Sequence, residues 1–143
     1  MIDEDGGTAV DAETGSGSVV DFDAKAALEA ATDAVDDVLL CVTYDAERFE
    51  TIYADERLDA FYPDEEAREA HFAEIHSYVH LDFAERDVFE DLFIQPGGVN
   101  AFVTYMNNLL AVRFLVGDGG LFFALAPDAP ATTLVEAIES TLT

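Results

Sequence analysis

Three histidines, His71, His76 and His80, are the residues of this 143-residue chain whose type and spacing most directly suggest chemistry. Imidazole is a common zinc ligand and changes its charge near neutral pH, so the group could hold a metal ion or respond to pH. Successive residues of an α-helix are rotated by about 100°. On that geometry His71 points about half a turn away from His80, so all three side chains cannot bind one ion.

His76 and His80 remain as a pair on one helix face, the spacing found in zinc-binding helices. Ser77 stands where such helices carry a glutamate, and Glu69, which points the same way, lies about 10 Å along the axis from His76. The sequence therefore offers no identifiable third ligand. We predict no metal site, with His76 and His80 as the pair that a metal would have to use. We expect both rings at the border between core and solvent, and a proton-coupled role for them stays open.

Other patterns typical of catalysis or cofactor binding are missing from the sequence. It contains no GxSxG, HExxH or CxxC motif. The GDGG stretch at 117–120 lacks the lysine of a phosphate-binding loop and predicts a hairpin turn. Cys41, the single cysteine, stands in the apolar run VLLCVTY and is predicted to fill the core. We therefore predict no catalytic residue and no cofactor, and we favour a protein that is not an enzyme.

The charge balance restricts the environment and the partners. The chain has 31 Asp and Glu against 6 Lys and Arg, a formal net charge of -25. Nucleic acids and anionic membranes need clustered basic residues, so neither is an expected partner. Many acids with a single lysine resemble the cytoplasmic proteins of salt-accumulating haloarchaea, where salt screens the repulsion. An acidic protein of a low-salt cytoplasm is the alternative.

No segment of the sequence is typical of export or membrane insertion. The first residues lack the basic and apolar parts of a signal peptide, and no apolar run approaches the roughly 20 residues that span a bilayer. A lone cysteine fits a reducing compartment. We expect a soluble cytoplasmic protein.

Periodicity and turn residues predict the elements that position these side chains. Residues 1–19 contain acids, Gly, Ser and Thr without a cation or an aromatic residue, which predicts a disordered acidic tail before a single domain at 20–143. The predicted order is a helix from about Asp21 or Asp23, strands at 38–45 and 49–55, helical residues 64–93, strands at 99–106, 109–116 and 121–127, and a helix at 131–142. The helical residues 64–93 can form one bent helix or two. Their predicted buried stripe is Phe72, Ile75, Val79 and Phe83.

Five strands joined mainly by hairpins predict an α+β domain with a single mainly antiparallel sheet, in the order α-β-β-α-β-β-β-α. Over residues 21–143 this order resembles the roadblock/LC7 domains, which are related to profilin-like folds. The segments VTYDAERFETIYADERL (42–58) and VRFLVGDGGLFFAL (112–125) are also similar to a haloarchaeal family of acidic domains without an assigned activity. Roadblock-like domains generally dimerise and scaffold or regulate small GTPases, so the resemblance implies a homodimer and a protein partner.

The aromatic strands at 99–127 provide candidate interface residues. LFFALAP is apolar at both strand parities, so both faces of the sheet are expected to be apolar there. With helices on one face only, a second copy would cover the other. The predicted interface residues are Phe102, Tyr105, Arg113, Phe114, Phe122 and Phe123.

Arg113 is the only cation in these strands and shares its strand parity with Ala111 and Leu115. It is either the partner of an internal acid or a charge anchor at an interface. The first hypothesis is a non-catalytic interaction module that forms a homodimer through its sheet. The alternative is a small-molecule sensor or enzyme with a pocket between the sheet and residues 64–93, using His76, His80 and Arg113.

Overall fold

The computed structural model describes residues 19–94 and 96–142. Most of the predicted tail, residues 1–18, lies outside the described residues. Val20, the first residue of the predicted domain, is buried, and Val19 packs against the same core. The described residues form an α+β domain around one five-stranded antiparallel sheet, as the sequence predicts.

The predicted order of helices and strands is confirmed, with one addition, a short 3-10 helix between β2 and α2. None of the helices in the described part of the chain is long and apolar enough to cross a membrane. The elements are α1 (Ala24–Ala34), β1 (Val38–Tyr44), β2 (Phe49–Ala54), the 3-10 helix (Glu56–Phe61), α2 (Glu65–His76), α3 (Val79–Leu92), β3 (Phe102–Tyr105), β4 (Leu110–Val116), β5 (Gly119–Leu125) and α4 (Ala131–Leu142).

The strands lie in the order β2-β1-β5-β4-β3, and each described pair is antiparallel. The β1–β2 hairpin and the three-stranded meander β3–β4–β5 form one sheet because β5 pairs with β1. Phe123 lies opposite Cys41 on one side and Val112 on the other. The outer strands are therefore β2 and β3, and each has one edge that no strand of the described residues pairs with.

Helices α1 and α4 pack against each other and cover one face of the sheet. Ala24, Ala27 and Ala31 line the buried side of α1, and their small side chains allow the helix to approach closely. Because side chains of a strand alternate between faces, every second residue of β4 and β5 enters this core. The sequence-predicted core cysteine Cys41 is fully buried here, and burial raises the pKa of its thiol.

The second face of the sheet is covered by this chain's own residues. Phe72 of α2 packs there with Leu40, Val42, Ala54 and Ala124. The prediction that helices lie on one face and a second copy covers the other is therefore wrong for this face. Sequence reasoning could not assign the helical residues 64–93 to a face, because both faces of β5 are apolar.

Residues 64–93 form two helices, which settles the alternative that the sequence left open. Asp64 begins α2 by accepting a hydrogen bond from the Ala67 amide at 2.8 Å. At the other end the Ser77 hydroxyl donates to the Glu74 carbonyl, and a turn at Ser77 and Tyr78 separates α2 from α3. The turn changes the direction in which later side chains point.

The predicted buried stripe is consequently only partly right. Phe72 is buried and Val79 and Phe83 are half-buried, but Ile75 is 47% exposed. Ile75 belongs to the last turn of the same helix as Phe72. Its side chain borders an open space between the two helices and the sheet, which leaves it partly accessible to solvent.

The hairpin turn between β4 and β5 is shorter than predicted. It consists of Gly117 and Asp118, and Gly117 has a φ of +61°, which favours glycine. The next two residues of GDGG, Gly119 and Gly120, already belong to β5. The Tyr44 ring lies directly over Gly120, so a Cβ there would stand 2.6 Å from the Tyr44 hydroxyl oxygen.

Candidate functional site

A cavity of about 280 Å³ lies between the second face of the sheet and the α2–α3 pair. Its floor is formed by β1, β4 and β5 through residues such as Val42, Ala111 and Phe122. Phe72 and Val79 contribute from the two helices. The backbones of α2 and α3 come close to the strands at fewer positions than that of α1 does, and the cavity occupies the space between them. Its lining is mostly apolar, and few polar side chains reach it.

Asp82 of α3 is the centre of the polar part of the lining, and its side chain is 9% exposed. One carboxylate oxygen, Oδ1, accepts a short hydrogen bond from Arg113 Nη1 on β4. The other, Oδ2, accepts one from the Tyr44 hydroxyl on β1 at 3.1 Å. Both carboxylate oxygens are therefore engaged, as a buried carboxylate requires. We call Tyr44, Asp82 and Arg113 the polar triad.

Arg113 also contacts two residues of β3. Its guanidinium carbon lies 5.2 Å from the centre of the Phe102 ring, a cation–π distance. Nη2 also lies 3.5 Å from the Thr104 hydroxyl oxygen. Phe102 is directly opposite Arg113 in the β3–β4 register. Of the two alternatives for Arg113, the structure shows the partner of an internal acid.

Tyr44 reaches the triad from the end of β1. Its ring crosses Gly120 and contacts the Phe83 ring edge-on, with 6.2 Å between the ring centres. Burial, together with the neighbouring Asp82 charge, raises the pKa of Tyr44 above its usual range. The hydroxyl therefore keeps its proton and acts as a donor to Asp82. In this arrangement Tyr44 is a structural hydrogen-bond donor.

The three histidines have different surroundings. His76 lines the cavity, its ring lies 5.4 Å from Phe49 between centres, and its Nε2 is 2.7 Å from the Asp45 carbonyl oxygen. Because a carbonyl can only accept, Nε2 of His76 carries the hydrogen. His71 is exposed and pairs through Nδ1 with the Tyr62 hydroxyl at 2.7 Å.

His80 is exposed and is not part of the cavity lining. Of the pair, only His76 lines the cavity, and its Nε2 is already bonded to a backbone carbonyl. Among residues 19–94 and 96–142, no cluster of three His, Cys, Asp or Glu side chains is placed to hold a metal ion.

The residues named as interface candidates separate into three groups. Phe114 and Phe123 are fully buried under α1 and α4, with their rings 6.2 Å apart, so their prediction as surface residues is corrected. Phe122 and Arg113 line the cavity on the opposite face. Phe102 is half-buried beside Arg113, and Tyr105 is 68% exposed on β3. Strand alternation decides this separation, because odd and even positions of β4 and β5 face different helices.

The chain matches no protein-family model and no curated protein sequence. Among solved structures it is similar to a roadblock/LC7 domain from Streptomyces avermitilis, with 13% identity and a TM-score of 0.50 over 79% of this chain and 86% of that one. The fold is roadblock/LC7-like. The chain is also similar to MglC from Myxococcus xanthus, with 16% identity and a TM-score of 0.47 over 82% of this chain and 91% of that one. The resemblance seen in the order of elements is thus confirmed as a resemblance of fold.

Within this roadblock/LC7-like fold, apolar side chains are also exposed outside the cavity. Outer strand β3 presents Val103 and Tyr105, which are 39% and 68% exposed. They share the face of Val112 and Leu110, but α1 and α4 leave them uncovered. The outer side of α3 adds further exposed apolar residues, namely Leu81, Val88 and Leu92, and Phe93 and Ile94 follow the helix.

Sequence reasoning identified the cavity's position and two of its residues, His76 and Arg113, but missed Asp82 and Tyr44. Asp82 is one of 31 acidic residues, and its sequence neighbours do not mark it as buried. A usable signal was Arg113 itself. A cation on an apolar strand of a chain this acidic requires a carboxylate partner, and the helix over that face is where the partner must lie.

Proposed function

We propose that this chain is a non-catalytic interaction module that works as a homodimer, with two copies joined along β3. A small GTPase is the class of protein partner that the roadblock/LC7 resemblance implies. The proposal includes a salt-rich cytoplasm as the working environment, because the net charge of -25 would be doubled in a dimer. The observation that carries it is the uncharged, open edge of β3.

The sequence around β3 differs from the rest of the chain in charge. The 26 residues from Leu92 to Gly117 contain no Asp or Glu, although the chain has 31 acids in 143 residues. This acid-free segment contains the whole of β3 and β4. Two copies can approach each other here without placing carboxylates face to face, which would oppose association elsewhere on the surface.

Open strand edges normally carry charged residues, proline or a bulge that prevents pairing with another chain. Strand β3 reads FVTY and has none of these, whereas the other outer strand, β2, carries Glu50. Pairing of β3 with β3 of a second copy across a two-fold axis would join both sheets into one. The exposed apolar residues of α3 belong to the opposite face of the sheet, where Phe89 of α3 lies 6.1 Å from Phe102 of β3 between ring centres.

Sedimentation velocity in about 2 M KCl tests the dimer, because the Debye length there falls below about 3 Å. We expect a species of twice the 15.5 kDa chain mass. Tyr105→Glu should weaken association by about 10- to 100-fold, because it places a charge within the β3 contact. Phe61→Glu is the matched control. Phe61 is an exposed aromatic residue, 76% accessible, on the 3-10 helix, and its replacement should leave the dimer intact.

If the protein stays a monomer in about 2 M KCl even at high protein concentration, the dimer is refuted. Equal weakening by Phe61→Glu and Tyr105→Glu would show that added charge, rather than the β3 edge, controls association. The partner class is tested separately, by titrating purified small GTPases in their GDP- and GTP-bound forms against the dimer.

A further inference from the structure

We infer that the cavity between the sheet and α2–α3 is a binding site for a small neutral ligand, mostly apolar, that directs one hydrogen-bond acceptor at the Arg113 guanidinium. This goes beyond the proposed dimer, which uses the edge of β3 and not the cavity interior. The inference rests on the size of the cavity, on the balance of its charges and on the donors that the polar triad leaves unused.

The volume of the cavity fits a compact organic molecule. About 280 Å³ is near the lower end of ligand pockets. Water in a pocket needs two to four polar partners each, and the apolar floor of Val42, Ala111 and Phe122 offers none. Transfer of an apolar ligand into this space therefore releases poorly bonded water.

The charges decide against an ionic ligand. Among the described residues that line the cavity there is one carboxylate, Asp82, and one guanidinium, Arg113, and the two form an ion pair. An anion would also have to approach a chain of net charge -25. A cation would find both Asp82 oxygens already bonded, to Tyr44 and to Arg113. A neutral molecule meets neither obstacle.

The Arg113 guanidinium has N–H groups that the polar triad does not use. A guanidinium carries five N–H groups, and Asp82 takes one of them through Nη1. The Thr104 hydroxyl oxygen stands 3.5 Å from Nη2, at the limit of a hydrogen bond. A ketone, ester or amide oxygen near Nη2 would complete the bonding of Arg113. The rim of the cavity is apolar and accessible, since Ile75, Tyr78 and Met106 line it and are 47%, 59% and 47% exposed.

The probe is 6-propionyl-2-dimethylaminonaphthalene, a neutral fused-ring fluorophore with one ketone oxygen, whose emission shifts to the blue in apolar surroundings. We expect saturable binding of one probe per chain, with a Kd of about 1–100 µM in molar KCl. In the wild-type protein, adding the probe should change the NMR chemical shifts of the methyl groups of Val42, Val79 and Ala111. Shifts confined to the outer side of α3, at Leu81 and Val88, would overturn the assignment.

Two variants separate the apolar and polar parts of the site. Ala111→Leu fills the floor and should weaken probe binding by about tenfold or more. The double variant Asp82→Asn/Arg113→Met removes the guanidinium donors and keeps the cavity neutral. It should weaken the ketone probe by about tenfold and leave 2-dimethylaminonaphthalene, which lacks the ketone, within about twofold of wild type. Leu92→Ala, on the exposed side of α3, is the control for both and should change neither affinity.

Unchanged affinity in folded Ala111→Leu would overturn the site, and equal loss of both probes in the double variant would overturn the role of Arg113. The dimer is a separate question. Tyr105 is not part of the cavity lining, so Tyr105→Glu should bind the probe like wild type even as a monomer. Probe affinity that falls as the dimer fraction rises would instead make a second copy the occupant and overturn the inference.

Discussion

Arg113 of β4 forms a hydrogen-bonded ion pair with the carboxylate of Asp82, which lies 31 residues earlier on α3. Tyr44 of β1 donates to the other oxygen of the same carboxylate at 3.1 Å. One carboxylate thus joins a helix to two strands across the second face of the sheet. The polar triad is therefore one of the contacts that hold α3 over the cavity, beside the 2.7 Å hydrogen bond from Arg86 Nη1 to the Gly117 carbonyl.

The first prediction concerns the ion pair. Replacing Arg113 with Met leaves a buried carboxylate without its cation, and we expect a loss of about 2–4 kcal/mol in the free energy of unfolding. The figure is below that of a fully buried pair because the Arg113 side chain is 24% exposed. Chemical denaturation in molar KCl measures the loss. Restoring neutrality with Asp82→Asn/Arg113→Met should recover part of it, because the second substitution removes the stranded charge.

Asp87→Asn provides the control for that experiment. Asp87 pairs with Arg86 at 3.3 Å, but its side chain is 69% exposed, so its removal should cost less than about 0.5 kcal/mol. Similar losses for Arg113→Met and Asp87→Asn would mean that burial does not strengthen the Asp82 pair.

The second prediction concerns Gly120. An alanine Cβ there would overlap the Tyr44 ring, so the ring must move and its hydrogen bond to Asp82 must break. We expect Gly120→Ala to lower the free energy of unfolding by about 2–4 kcal/mol. Gly98→Ala is the control, since the nearest atom to its Cβ is Glu90 Oε2 at 3.7 Å, an ordinary contact. A Gly120→Ala protein as stable as wild type would place the Tyr44 ring elsewhere.

The third prediction compares two apolar residues of α2. Phe72 is 6% exposed and packs on the second face, so Phe72→Ala should cost about 3–5 kcal/mol. Ile75 is 47% exposed at the rim of the cavity, so Ile75→Ala should cost about 1 kcal/mol or less. Thermal or chemical unfolding of the two variants decides. Equal costs would indicate that α2 and α3 close over the cavity in solution.

The strands could be predicted because their signals are local. In β4 and β5 apolar residues occupy almost every position and glycine marks the turn between them, which distinguishes them from the amphipathic α4. Because both faces of these strands are apolar, the sequence did not indicate which face each helix would cover. Face assignment depends on the register between strands distant in sequence, as in the pairing of Val42 with Phe122.

The site was less predictable than the fold. Ile75 was expected in the core because helical periodicity places it beside Phe72, but its side chain borders the cavity and is 47% exposed. Asp82 could not be selected among so many acids, because burial of a carboxylate depends on a partner brought by the fold. Arg113 was distinctive because cations are rare in this chain. Rarity within a biased composition was thus a better guide to the site than any motif.

The fourth prediction concerns pH. Side-chain hydrogen bonds from Arg57 lower the pKa of Asp55, and the Arg57 amide and the Tyr53 hydroxyl add to this effect. A carboxyl whose pKa is lower in the folded state stabilises the fold above its unfolded pKa of about 3.9, and that contribution is lost as the pH falls through the folded value. The difference in stability between wild type and Asp55→Asn should be constant near neutral pH and shrink below about pH 4. Denaturation curves from pH 3 to 7 in molar KCl measure it, and a difference that grows toward low pH would contradict this assignment.

Disulfide trapping tests the central claim, the β3 edge as a dimer contact, most directly. In an antiparallel β3–β3 pair, residues near the two-fold axis face their own copies with Cα atoms about 4.5–5.5 Å apart, which a disulfide can bridge. Val103→Cys and Thr104→Cys sample both neighbouring positions, and the buried Cys41 stays unreactive. In about 2 M KCl under mild oxidation, we predict rapid and nearly complete cross-linking of one or both variants, while Phe61→Cys stays uncross-linked. Cross-linking of Phe61→Cys at the same rate, or none at either β3 position, would contradict the account.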